Sequence, residues 1–229
     1  MTLAEIRRNI RSLGSSARAE VSQRYFKTGK GEYGEGDCFI GLDAATMHSL
    51  AKQYRETPLK AVDQLLHSQW HEERLVALLI LVRQFEKGDR DAILALYLAN
   101  TDRINNWDLV DCSAPQIVGA HGTIQLLRKL ARSKSLWERR IAIIATQHLI
   151  RENNFEPTLV IAEMLLGDEH DLIHKAAGWM LREVGKRDAG VEKRFLDGHA
   201  AIMPRTMLRY AIERFPERER RHYLNARSG

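Results

Sequence analysis

Glu73-Arg74-Leu75-Val76-Ala77-Leu78-Leu79 returns as Arg139-Arg140-Ile141-Ala142-Ile143-Ile144-Ala145, and again as His174-Lys175-Ala176-Ala177-Gly178-Trp179-Met180. Each copy is a basic residue followed by small and large apolar residues. Arg74 and Arg140 stand 66 apart, two steps of 33, and Arg140 and Lys175 stand 35 apart. Helix pairs at such a period are the mark of an α-solenoid. Each pair buries its apolar stripe against its neighbours, and the stack curves into a concave surface. The steps are irregular, which favours HEAT-like repeats. The expected fold is therefore all-α, a solenoid of HEAT-like helical repeats with a concave groove, as a single domain over 1–229.

The rest of the chain agrees with this reading. Leu3, Ile6, Ile10 and Leu13 fall at helical spacing before Gly14, and Ala17, Val21 and Tyr25 continue as a second helix. Thr28 to Asp37 holds four glycines in ten residues and reads as a loop. From the N-cap Asp43 onward helices are predicted nearly without interruption: through Met47 and Leu50, after Pro58, over Arg74–Phe85, Ile93–Leu98, Leu126–Leu130, Ile141–Ile150, Leu159–Leu166, Ile173–Val184 with Gly185 as its end, Val191–Met203 and Met207–Phe215. No strand is predicted.

The chain has 229 residues, of which 44% are hydrophobic and 28% charged, the proportions of an ordinary globular protein. No apolar run approaches the ~18 residues of a membrane span, and the N-terminus from Met1 to Arg7 lacks the apolar core of a signal peptide. Two cysteines, Cys38 and Cys112, show neither metal spacing nor a disulfide framework, so a reducing cytoplasm is expected. The nine histidines show no paired metal spacing. No metal and no cofactor are expected. The net charge of +5 mildly favours a polyanionic partner.

Chemistry enters at Asn106-Trp107-Asp108-Leu109-Val110-Asp111. Trp107 and Asp111 are four apart and share one face of a helix. An indole beside a carboxylate suits a cationic, planar ligand, although a core tryptophan followed by a solvated aspartate is the commoner reading of this stretch alone. The repeat phase places Trp107 and Arg140 at one position, and Asp111 and Trp179 one turn later. Leu78 and Ile144 share that later position and read as core, so phase supports convergence without proving it. Two tryptophans, a carboxylate and an arginine fit a specific reaction. A purine alkylated at N7 or N3 is cationic, and its bond to the sugar is weak because the base leaves neutral. Cleavage builds positive charge on the deoxyribose, as in oxocarbenium-like transition states. A carboxylate stabilises that charge and orients water, indole faces favour cationic surfaces, and arginine holds phosphate. Trp70 and Trp137 read as helix-start packing residues, and Trp179 reads equally as core.

These residues resemble the DNA alkylation repair family, the AlkD-type HEAT-like-repeat DNA glycosylases. The resemblance runs through Tyr25-Phe26-Lys27-Thr28-Gly29, Gly31 to Asp37, Asn106 to Asp111, Trp137 to Ala142, His174 to Glu183 and Met203 to Ala211, in one order over nearly the whole chain. It implies a solenoid around duplex DNA and monofunctional excision of 7-methylguanine and 3-methyladenine in base-excision repair, without drawing the base into a pocket. It implies Asp111, Trp107 and Trp179 as catalytic residues, Arg140 as the phosphate ligand, and Tyr25 and Arg182 near the DNA backbone. Arg139, Lys175, Arg205 and Arg209 are further candidate DNA contacts, the last two within a run of seven arginines from Arg205 to Arg227. The expected partner is double-stranded DNA carrying alkylated bases in a concave DNA-binding groove, with no membrane, a monomeric enzyme and a cytoplasmic, nucleoid-associated location. The family pattern is departed from at Gly119-Ala120-His121-Gly122, where continuous helix is expected, and at His148, where a basic DNA contact is expected. The alternative is a non-catalytic HEAT-repeat module binding DNA or a protein, which would have no need of Asp111.

Overall fold

The computed structural model describes residues 2–226. Met1 of the expected N-terminal helix start and Arg227 of the arginine run lie outside the described residues. The chain is all-α: the described residues form 14 α-helices and no named strand, only an isolated parallel bridge between Cys38 and Trp70. It divides into two compact units, Met1–Ser113 and Ala114–Gly229.

In the first unit the helices are α1 (Leu3–Ser12), α2 (Ser16–Tyr25), α3 (Ala44–Gln53), α4 (Leu59–Leu66), α5 (His71–Phe85), α6 (Arg90–Ala99) and α7 (Trp107–Asp111). Their starts are written in the sequence. Thr2 and Glu5 form a reciprocal capping box, and Ser15, Asp43 and Asp89 each accept a first-turn amide. The centre is α5, against which α3, α4, α6 and α7 pack. It is buried all round, from His71 to Leu81 without interruption. Each of its large aliphatic side chains contributes roughly 1.5–3 kcal/mol by leaving water. Its first turn also carries buried charges, and these are partnered. Glu72 accepts the amides of Ile40, Gly41 and Leu42, and Glu73 accepts Arg11 Nε at 2.7 Å.

One expected element differs. The stripe Ala17, Val21 and Tyr25 predicts a packed helix, and α2 forms there, yet none of its residues is buried; Val21 and Tyr25 are among the most exposed large hydrophobics.

The second unit holds α8 (Ile124–Ala131), α9 (Leu136–Arg151), α10 (Glu156–Met164), α11 (Asp171–Arg187), α12 (Ala189–His199), α13 (Arg205–Ala211) and α14 (Glu217–Leu224). Two long helices, α9 and α11, pack on each other; α8 and α10 flank α9, and α12 and α13 flank α11. The three repeated heptapeptides lie near the starts of α5, α9 and α11, the three longest helices. Gly185 does not end α11, which runs on to Arg187. The side chain of Glu192 from α12 occupies the space a Cβ at Gly185 would take. The stretch Gly119-Ala120-His121-Gly122 is not loop throughout: Pro115–Gly119 makes a single π-helical turn and helix continues to His121. The helix expected to reach Met203 stops at His199, and the one expected to reach Phe215 stops at Ala211, tightening into a 3₁₀ turn over Ile212–Arg214 before Pro216 opens the next helix.

Candidate active site

α7 is only five residues long, and helix nucleation alone would not hold so short a segment. Its environment does. Asn106 is the N-cap and its side chain accepts the Trp107 amide at 2.9 Å. Asn105 Oδ1 accepts Arg74 Nη2 at 3.0 Å. Asp108 Oδ2 lies 2.8 Å from His71 Nε2. On its other side His71 Nδ1 lies 2.8 Å from Asp37 Oδ2, and Asp37 Oδ1 accepts Arg74 Nη2 at 2.7 Å. Asp37, at the end of the glycine-rich loop, thus meets two residues of α5, one of which also touches α7. All three side chains of Asp37, His71 and Arg74 are almost sealed from water, while Asp108 keeps a 17% exposed edge.

Burial opposes charge on His71, but the carboxylates of Asp108 and Asp37 outweigh it and raise its pKa to about 9. Burial likewise opposes charge on Asp37, but bonding to His71 and Arg74 holds its carboxyl below the usual value. The imidazole is therefore a cation between two carboxylates at neutral pH. Phe39 stacks on it at 4.5 Å and Phe26 lies tilted at 5.1 Å, placements that favour a cation.

Phe26 carries the order outward. It stacks on Trp107 at 5.3 Å, and Tyr25 meets Trp107 edge-on at 5.9 Å. The Trp107 side chain also hydrogen-bonds Tyr33, whose hydroxyl is shifted up chiefly by burial. Trp107 and Asp111 are each half-buried, one helical turn apart on α7, while Leu109 and Val110 between them are buried. The first unit thus brings together Trp107 and Tyr25, with Asp111 on the same short helix. Cys112 beside Asp111 is held as a neutral thiol, its pKa pushed up by burial.

The remaining candidates lie in the second unit. Arg140 is buried on α9 and its Nη1 donates to Leu172 O at 2.8 Å. Arg139 is committed inside the unit: Nε donates to Asp168 at 2.5 Å, and Nη1 donates to Ser133 O and Lys134 O. These bonds fix α9 to the loop before α11. Trp179 is half-buried among buried Ala176, Ala177, Met180 and Leu181, and its Nε1 donates to Glu183 Oε1 at 2.9 Å. It stands at the edge of the core rather than within it. Trp137 is buried near the start of α9, as packing predicts. Lys175 pairs with Asp171 at 2.7 Å, Arg182 pairs with Glu213, and Arg205 donates to Leu224 O at 2.8 Å. Arg209 is exposed on α13. His148 lies 3.3 Å from Glu152, the C-cap of its own helix.

Sequence reasoning did not find Asp37, His71, Arg74 and Asp108 as one group. Arg74 was visible as a repeat position, but nothing in spacing announces that it meets a loop aspartate 37 residues away.

Comparison with known proteins places this architecture. The fold is that of the all-α solenoid class: a solved structure described as a predicted DNA alkylation repair enzyme from Enterococcus faecalis superposes with a TM-score of 0.72, covering 89% of this chain and 97% of that one at 17% identity. The chain itself matches the family described as DNA alkylation repair enzyme over residues 6–215, and it belongs to that family. No curated protein matches it. Among the described residues, no helix is long and apolar enough to cross a membrane.

Proposed function

We propose that this protein is a monofunctional DNA glycosylase that hydrolyses the N-glycosidic bond of cationic alkylpurines, 7-methylguanine and 3-methyladenine, in duplex DNA. The observation that carries the reading is α7, which sets a half-buried carboxylate, Asp111, one turn from the half-buried Trp107 flanked by Tyr25. Asp111 is assigned to stabilise the oxocarbenium-like sugar and to orient the attacking water. Trp107 and Trp179 are assigned to the cationic surfaces of sugar and base, and Arg140 to the phosphate of the lesion. A cationic purine leaves as a neutral molecule, so the reaction requires no general acid and no cofactor. The enzyme acts as a monomer, and the lesion need not enter a closed pocket.

The test is single-turnover release of 7-methylguanine from methylated duplex DNA, read as free base by mass spectrometry. Wild type is expected to release base, and Asp111→Asn to lose about 10²-fold or more, as for other positioned catalytic groups. A wild type that binds duplex yet releases nothing above the spontaneous rate would make the chain a binding module on a repair-enzyme fold.

A further inference from the structure

α7 is too short to hold its own orientation, and His71, itself nearly sealed from water, is an ionic anchor to it through Asp108. The imidazole uses both ring nitrogens, one on Asp37 of the glycine-rich loop and one on Asp108 of α7, so the helix that bears Trp107 and Asp111 is tied through α5 to that loop. Arg74 ties the same loop aspartate to Asn105, the residue two before Trp107. Phe26 lies against both His71 and Trp107, so a shift of either ring is felt by the other.

We propose that His71, bridging Asp37 and Asp108, is a positioning residue that fixes α7 and so aims Trp107 and Asp111 for base excision. The excision half of this inference rests on the glycosylase reading above. Charge is part of the device. Removing the proton leaves two carboxylates facing one neutral ring in a buried site, and an uncompensated buried charge is strongly unfavourable. The groups facing His71 are Asp37 from the loop, Arg74 on its own helix, Asp108 from α7, and the rings of Phe26 and Phe39. With its pKa raised to about 9 from 6.5, the bridge is complete at and below neutral pH and is lost as pH rises through about 9. Tyr33 hydrogen-bonds Trp107 and also titrates at high pH, so Tyr33→Phe is the control.

Two measurements test this. In single-turnover assays at pH 7, His71→Gln is expected to slow base release about 10- to 10²-fold, the range for small misplacements of reacting groups, with duplex affinity changed less than about 3-fold. Adding Asp108→Asn, which removes one of the stranded carboxylates, is expected to recover part of the rate. His71→Gln in an Asp111→Asn background is expected to cost little more, because both act through one carboxylate. Release by His71→Gln at the wild-type rate would overturn the inference and leave the glycosylase reading intact.

The second measurement needs no catalysis and no variant that must survive without His71. With 5-fluorotryptophan at the four tryptophans, and the Trp107 signal assigned by Trp107→Phe, the ¹⁹F resonance of Trp107 is expected to titrate with a midpoint near 9, in wild type and in Tyr33→Phe alike. A flat Trp107 signal from pH 7 to 10 would overturn the positioning role. If wild type releases no base but the Trp107 signal titrates, His71 positions α7 and the excision role falls with the glycosylase reading.

Discussion

Two helical glycines of the second unit should respond to the same substitution with opposite signs. Gly178 lies in the middle of α11, and a Cβ there would sit 2.3 Å from Met207 O and 2.6 Å from Tyr210 Cβ, both on α13. Gly198 lies near the end of α12 with nothing within 4 Å of its would-be Cβ. Alanine is favoured over glycine in a helix by about 1 kcal/mol, so Gly198→Ala should gain up to that amount, less for its terminal place. Gly178→Ala gains the same term but must move α13 away by on the order of 1 Å to restore ordinary contact, because the obstructing atom is backbone and cannot rotate aside. A gap of that size forfeits a quarter to a half of each dispersion contact across the interface, and overpacking of this kind costs typically about 1–3 kcal/mol. With the cost at the upper end, the net loss is about 2 kcal/mol. For a chain of this size that is a fall in Tm of roughly 4–8 °C. Thermal unfolding by far-ultraviolet circular dichroism measures both. If Gly178→Ala melted at or above wild type, the close approach of α11 and α13 would not be what glycine serves at that position, and the reasoning would fail.

Glu192 on α12 gives a pH prediction. Its carboxyl is buried, Oε1 has no hydrogen-bond partner among the described residues, and burial pushes its pKa up to about 8 from 4.5, although Arg182 and Lys193 pull the other way. The folded state therefore keeps a proton that the unfolded chain gives up, so stability falls as pH rises from about 4.5 to about 8 and the penalty is constant above. Glu192→Gln should flatten that part of the urea-midpoint profile and leave the protein more stable than wild type at pH 8; an unchanged slope would mean that Glu192 is ionised in the fold. Arg209, exposed on α13, is a candidate DNA contact; if it meets a phosphate, Arg209→Gln should lower the slope of log affinity against log salt by about 0.9 for duplex DNA, with Tm within about 1 °C of wild type. An unaltered salt slope would remove Arg209 from the phosphate contacts.

The helices were legible where the sequence carries a period or a cap. α5, α9 and α11 contain the three repeated heptapeptides, and Asp43, Asp89 and Ser135 start their helices with their own side chains. The pattern failed where tertiary space overrides local rules. Gly185 reads as a helix end, but the glycine serves to admit Glu192, so α11 continues. Val21 and Tyr25 read as a buried stripe, but spacing states only that they share a face, not that anything covers it. In the site, Trp107 and Asp111 were legible because four residues on a helix fix their relation. The resemblance distinguished Arg140 from Arg139, but spacing alone did not show that Asp168, from a loop 29 residues on, pairs with Arg139 or that Arg140 is buried against Leu172 O. The Asp37–His71–Asp108 chain was invisible for the same reason: its members are 34 and 37 residues apart, and a buried aspartate is written with the same letter as a solvated one.

The glycine-rich loop shows why such a site needs more than its reacting residues. A five-residue helix gives Asp111 and Trp107 their mutual spacing but no fixed direction in the molecule. The direction comes from other residues: Asp37 at the end of the loop, then His71 and Arg74 one turn apart on α5, then Asp108 and Asn105 around the start of α7. α5 can serve as the reference because it is buried all round and is the helix on which the unit packs. The charged residues in its first turn, which would be a liability in an ordinary core helix, are tolerated because each meets a partner from a different segment: Glu72 the amides of Ile40 to Leu42, Glu73 the arginines of α1, Arg74 and His71 the carboxylates around α7. An apolar replacement of the whole set could leave the unit as stable. It would remove the only directional bonds that α5 makes to the loop and to α7 through these side chains, and hence the aim of the carboxylate on which the proposed chemistry depends.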